Sequence, residues 1–187
     1  MISITQLRPR CQEIWYKFSM RDEIPIPGST KARLIAAGLR QFGQYGYEEV
    51  DVDSVAAEAG VTTGSLYHHF QSKKGFYGVL RDDMTRRVLD RMEAVAESVS
   101  PERAVKAALL AAYDGVLRIK AGKLLTESDP RGEEDAIAHY LSELASQNGH
   151  VPVARTLGIL LAAALRAALT EALHGHKEAR EALESLL

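Results

Sequence analysis

Helical periodicity runs through almost the whole chain and limits the fold more than any other feature. Apolar residues recur at spacings of three and four, as a helix with one buried face requires. Phe76, Leu80, Met84, Val88, Met92, Val95 and Val99 form one such stripe, and Val105, Leu109, Ala112, Val116 and Ile119 form another. The short Val50 to Val52 stretch is the only β-branched cluster with any alternation. An all-α fold of about nine helices is therefore expected.

Breakers and caps divide the pattern. Pro25-Ile26-Pro27-Gly28 reads as a stiff, non-helical connector. Ser29 and Thr30 can then cap a helix to about Tyr45, with Ile35, Leu39 and Phe42 as its buried stripe and Gly46 at its end. Asp51 caps a short second helix that stops at Gly60, and Thr62 caps a third over Thr63 to His69. Ser72 caps the long fourth. Ser100-Pro101 opens a fifth, with proline where its missing N–H costs nothing, and that helix should stop near Gly122. Asp129-Pro130-Arg131-Gly132 reads as a turn. Helices follow over about Glu133 to Gln147 and Val153 to His174, with a short one after Gly175.

Composition narrows the class. At 187 residues, 46% hydrophobic and 26% charged, the chain suits one globular domain or two small ones. Its 1 cysteine cannot form an internal disulfide. Met1 to Arg10 has no apolar core of a signal peptide. Leu157 to Leu173 is the most apolar stretch, but Arg166 and Glu171 interrupt it, leaving it short of the roughly 20 residues a bilayer needs. A soluble cytoplasmic protein with no membrane partner is expected. The formal net charge of −2 argues, taken alone, against a nucleic-acid partner.

Residues 51–70 nevertheless have helix-turn-helix spacing: two short helices around a turn containing Gly60. Leu66 and Phe70 are the inward face of the second. Thr63, Gly64, Tyr67 and His68 face outward, where an ordinary solvent face would carry Glu, Lys and Gln. Small and hydrogen-bonding groups suit close approach to base edges in a major groove. Thr62 presents a hydroxyl and free N–H groups to a phosphate, and Lys73 and Lys74 can neutralise phosphates nearby.

Thr30 to Tyr77 resembles the DNA-binding domain of the TetR family of transcriptional regulators. The resemblance rests on Ile35, Ala36, Ala37, Leu39, Phe42 and Gly46-Tyr47, then on Val55-Ala56, Ala59-Gly60-Val61, Gly64, Leu66-Tyr67-His68-His69-Phe70 and Ser72-Lys73. It covers about a quarter of the chain, and the run from Ala59 to Phe70 is its most specific part. The resemblance implies that Thr63, Ser65, Tyr67 and His68 lie on the groove-facing side of a recognition helix. Gly64 would allow close backbone approach, and Thr62, Tyr67, His69 and Lys73 would hold phosphates. It further implies a helix-turn-helix domain over residues 29–75, preceded by an extension over 1–28 and followed by an effector-binding and dimerisation bundle over 76–187. A homodimer would place its two recognition helices one DNA turn apart on a palindromic operator. Two departures stand out. Gly75 replaces the usual acidic residue three after the Ser72 cap, and Thr63 is shorter than the polar residue common at that place. Readout would then lean on shape and phosphates. Between Gly28 and Leu80, Lys31, Arg33, Arg40, Lys73 and Lys74 balance Glu48, Glu49, Asp51, Asp53 and Glu58. DNA binding would thus depend on where the charges stand, with a modest salt dependence.

From Ala94 onward the chain has twenty alanines and two aromatics, Tyr113 and Tyr140, so its helices can pack closely. The helix from Val153 to His174 is apolar nearly all round and suits a four-helix interface between two subunits. Met92, Tyr113, Leu117, His139, Tyr140 and Arg166 are candidates to line a small-molecule effector cavity. Cavity occupancy would shift the fourth helix and move the recognition helices out of register.

Other chemistries fare worse. His68 and His69 are adjacent on a helix, point about 100° apart and cannot chelate one metal ion. His174 and His176 read as an exposed helix end. Ser65 and His68 lack an orienting acid and an oxyanion hole, so no enzyme, metal or cofactor is expected. Arg8, Arg10, Lys17 and Arg21 could form an arm over DNA, Met20 could be the true start, or Ile14, Trp15 and Phe18 could dock as a helix. The rival reading is a helical ligand-binding or scaffold protein that kept the fold and lost specific DNA binding.

Overall fold

The computed structural model describes residues 26–147, 149 and 151–186. The extension residues weighed above, including Arg8, Trp15 and Met20, lie outside them. Among the described residues there are nine α-helices, one 3₁₀ turn at Val151–Val153 and no strand.

The first three helices are short and capped as expected. α1 spans Thr30–Tyr45, and the Ser29 hydroxyl accepts from the Ala32 N–H at 3.2 Å. α2 spans Val52–Glu58 under the Asp51 cap, and α3 spans Thr63–Phe70 under the Thr62 cap. Gly46 and Gly60 take left-handed φ values of +86° and +64° at the ends of α1 and α2. Only glycine adopts these routinely.

The buried stripe of α1 differs from the expected one. Leu34, Ala37, Gly38 and Phe42 are buried, while Ile35 and Leu39 lie at its edge, partly buried. The helix is rotated toward its small residues because α4, spanning Lys73–Glu97, crosses it closely at Gly38. A Cβ at Gly38 would come within 2.5 Å of the Phe76 ring. Phe76, Leu80, Met84, Val88 and Met92 of α4 are buried, as the stripe requires, and Tyr77 joins them with no exposure. Phe42, Phe70, Phe76 and Tyr77 make an aromatic cluster with centroids 4.5 to 5.9 Å apart. It joins α1, α3 and α4 in one core.

α5 spans Pro101–Ile119 and lies along α4. It ends three residues before Gly122, with Lys120 in a left-handed conformation, and Gly122 instead begins a further helix, α6, over Gly122–Thr126. Five residues are too few to carry a periodic signal. α6 is placed by close packing: a Cβ on Gly122 would meet Leu173 at 2.7 Å, and one on Gly43 would meet Ala121 Cα at 2.8 Å. α7 spans Ala136–Gln147, later than expected, because the Asp135 carboxylate accepts from the N–H groups of Ile137 and Ala138 and starts it.

α8 spans Ala154–Leu173 and packs along α7, with α9, Ala179–Ser185, laid across α8 and α5. A Cβ on Gly158 would meet the Ala138 carbonyl at 2.4 Å, so α7 and α8 touch backbone to backbone. Among the described residues α8 is the one helix long and apolar enough, by length and composition alone, to cross a membrane, with a mean hydropathy of 1.6. Leu161, Ala162, Leu165, Ala168 and Leu169 of α8 are buried in the bundle, and Arg166 is ion-paired to Asp135.

Candidate nucleic-acid interface and bundle cavity

α3 is held from one side only. Leu66 and Phe70 are 0% and 6% exposed and anchor it against α1, α2 and α4. Gly64, Tyr67, His68 and His69 stand exposed, with Thr63 and Ser65 half-buried at the edge. Tyr67 is 44% exposed, a large side chain left in water. The structure therefore brings Thr62, Thr63, Gly64, Ser65, Tyr67, His68 and His69 onto one helix and its cap.

Gly64 is unusual among the helical glycines. A Cβ there would meet only the Thr62 hydroxyl, at 3.7 Å. Nothing within the protein requires glycine at this place, although glycine weakens a helix by about 0.5–1 kcal/mol relative to alanine.

The turn into α4 is tighter than an ordinary cap. Gln71 adopts φ +66°, and Ser72 Oγ accepts from the Gly75 N–H at 2.9 Å. A Cβ on Gly75 would lie 2.4 Å from the Phe70 carbonyl oxygen. That close approach accounts for glycine where the resemblance leads one to expect an acid. Lys73 reaches back over the Tyr47 ring, 4.8 Å from its centroid, and donates to the Glu48 carbonyl at 3.4 Å. Lys74 is exposed.

Three acids of this unit have local partners, and one of them, Glu58, is ion-paired. Glu58 accepts from Arg40 and Gln41 at 2.6 and 2.7 Å, and these bonds hold its carboxyl below the usual range. Asp51 is used as a cap, and Asp53 accepts a hydrogen bond from the Thr63 hydroxyl.

The six effector candidates are not gathered in one place. Met92 and Tyr113 are buried, Leu117, Tyr140 and Arg166 are half-buried, and His139 is exposed. A cavity of about 1040 Å³ opens between α4, the 126–136 segment, α7 and α8. His139 and Arg166 lie in its wall, whereas Met92, Tyr113, Leu117 and Tyr140 do not. Leu117 lines a second cavity, of about 940 Å³, at the junction of α1, α5, α6 and α8.

The sequence reading missed the charged frame of the larger cavity. Arg131 donates to both Asp82 oxygens at 2.8 and 2.6 Å and to Asp129 at 2.7 Å, and Arg81 pairs with Asp129 at 3.3 Å. Burial opposes the charge on Asp129, but the hydrogen bonds from Arg131 outweigh it and hold the carboxyl below its ordinary pKa. Arg81 also donates to the Leu124 and Glu127 carbonyls, and the Glu127 carboxylate accepts from the Tyr47 N–H at 2.9 Å. Lys123 donates to the Tyr45 carbonyl at 3.2 Å. The segment that walls the cavity is thus bonded to the turn that follows α1. The signal in sequence was faint: an Asp-Pro-Arg-Gly turn, and an Arg-Asp pair mid-helix.

Together these features define an all-helical protein with an N-terminal helix-turn-helix unit built onto a helical bundle. Residues 34–79 match the family model described as bacterial regulatory proteins, tetR family. The match covers the helix-turn-helix unit, about a quarter of the chain. The chain is 25% identical over 91 residues to the HTH-type transcriptional repressor KstR2 of Mycolicibacterium smegmatis, covering 48% of this chain and 44% of that one. It is 31% identical over 87 residues to the HTH-type transcriptional regulator BetI of Cronobacter sakazakii, covering 46% and 42%. Each of these matches spans less than half of the relative's length. A TetR-like transcriptional regulator from a Rhodococcus species shares the fold, with a TM-score of 0.67 at 19% identity over 88% of this chain and 96% of that one.

Proposed function

We propose that the protein is a sequence-specific DNA-binding transcriptional regulator. It acts as a homodimeric repressor that a small-molecule effector releases from a palindromic operator. The observation that carries this reading is Gly64. An exposed helix position holds glycine although no neighbour fills the space, which fits a partner outside the chain pressing on the helix backbone. The exposed Tyr67 ring beside it supports the same conclusion.

In this reading Gly64, Thr63, Ser65, Tyr67 and His68 face the major groove. Thr62, His69, Lys73 and Lys74 hold phosphates on either side. Tyr67 contributes to both contacts. Ile159 and Leu160 of α8, 48% and 60% exposed, lie on the face that would meet a second subunit. The larger cavity is the effector site, and Arg166 and His139 are its contributors from the six candidates.

The test is fluorescence anisotropy of the purified protein on its own upstream DNA, with random duplex as competitor. Specific affinity near 10⁻⁸–10⁻¹¹ M, about 10³-fold or more over random DNA, is expected, and Tyr67→Ala should abolish the difference. Equal, weak binding of wild type and variant to every duplex, including fragments selected from the whole genome, would favour a fold that kept its shape and lost DNA recognition.

A further inference from the structure

The Asp53–Thr63 hydrogen bond carries a consequence for base choice. Asp53 stands in the first turn of α2 and Thr63 is the first residue of α3. The Thr63 hydroxyl donates its proton to Asp53 Oδ1. A hydroxyl has one proton and two acceptor lone pairs, whereas an ionised carboxylate only accepts. The partner therefore fixes the polarity of this hydroxyl. With its proton committed, the Thr63 oxygen can offer an outside group only lone pairs, beside the side chain's methyl group.

We propose that Asp53 is a specificity-determining residue for DNA readout, acting through Thr63. The proposal rests on the DNA-binding reading above. Thr63 then accepts from the exocyclic amine of adenine or cytosine, or lays its methyl on that of thymine. It disfavours guanine, whose major-groove edge has acceptors at O6 and N7. Gly64, the next residue, has open space where a side chain would stand, so the helix backbone can come close enough for so short a side chain to reach a base edge. Asp53 needs no DNA contact of its own. It is a positioning residue, and a threonine that could otherwise donate or accept becomes an acceptor.

The test is selection from a randomised duplex library by the full-length protein, its Asp53→Ala variant and its Thr63→Val variant. Asp53→Ala frees the hydroxyl proton and leaves the Asp51 cap in place. At one position in each half-site the wild type should reject guanine by roughly three- to tenfold, the range one hydrogen bond supports. Asp53→Ala should erase that rejection and leave the other positions as they were. Thr63→Val, which keeps the shape and the methyl group, should lose the preference for adenine and cytosine there and keep any for thymine. The same bases in all three selections would overturn the proposal. Should Asp53→Ala fail to fold, as circular dichroism would show, Thr63→Val decides alone: an unchanged motif overturns the proposal. A wild type that enriches no motif overturns the DNA-binding reading itself, and the proposal with it.

Discussion

Replacing Gly64 by alanine separates what the fold wants from what the function wants. The new Cβ would meet only the Thr62 hydroxyl, at an ordinary van der Waals distance of 3.7 Å, and the residue lies within α3 at a helical φ. Alanine also reduces the freedom of the unfolded chain. Stability should therefore rise by about 0.4–1 kcal/mol. For a chain of this size that is roughly 1–4 °C in Tm, at about 2–4 °C per kcal/mol. DNA binding should move the other way. A methyl group pushed into a packed interface costs about 1–3 kcal/mol, which is roughly five- to 150-fold in Kd. Thermal unfolding by circular dichroism and anisotropy on the selected operator, run on the same preparations, give both numbers. A variant that is more stable and binds as tightly as wild type would refute the argument that this space is kept for a partner. A variant that is less stable would show that an internal constraint on Gly64 had been overlooked.

Two further outcomes follow from the bundle. Arg131 is 20% exposed and Asp129 9%, so Arg131→Ala falls between a surface pair and a buried one and should cost about 2–3 kcal/mol in urea unfolding at pH 7. The folded pKa of Asp129 is depressed, so its contribution is present above the unfolded value of about 3.9 and is lost as pH falls through the folded one. The gap between wild type and variant should therefore narrow below about pH 4, and a gap that is the same at pH 3 and pH 7 would count against the pair as its source. Leu160→Glu on the exposed face of α8 should convert a dimer into monomers in sedimentation equilibrium and weaken operator binding with it, and an unchanged mass would move the subunit interface elsewhere.

The helix-turn-helix half was legible because its signals are local. Asp51, Thr62 and Ser72 cap α2, α3 and α4 as read, since a cap is a bond between a side chain and a backbone N–H two or three residues away. Leu66 and Phe70 were placed inward by spacing alone, and both are buried. The bundle cavity was not legible in the same way. A helix stripe shows that Met92 or Tyr113 is buried, but not whether a void or a neighbour lies beside it. The cavity wall comes instead from Arg81, Asp82, Asp129, Asp135 and Arg166, which are distant in sequence and meet only when α4, α7 and α8 pack.

What the sequence determined by itself is what short-range chemistry determines. The spacing of apolar residues made the chain helical, and glycine, proline and capping side chains set most of the helix ends. The spacing of Leu66 and Phe70 left Gly64, Tyr67, His68 and His69 facing outward on α3. Close packing decided the rest. Gly38 turned α1 toward Phe76 and away from the stripe its apolar residues implied. Gly122 and Gly43 seated a helix too short for any pattern to announce. Asp53 came to rest against Thr63, and Glu127 against Tyr47, across 10 and 80 residues of chain. A hydrogen bond between distant residues depends on where two rigid elements lie, and that is settled by the summed fit of the whole core, which no local window contains.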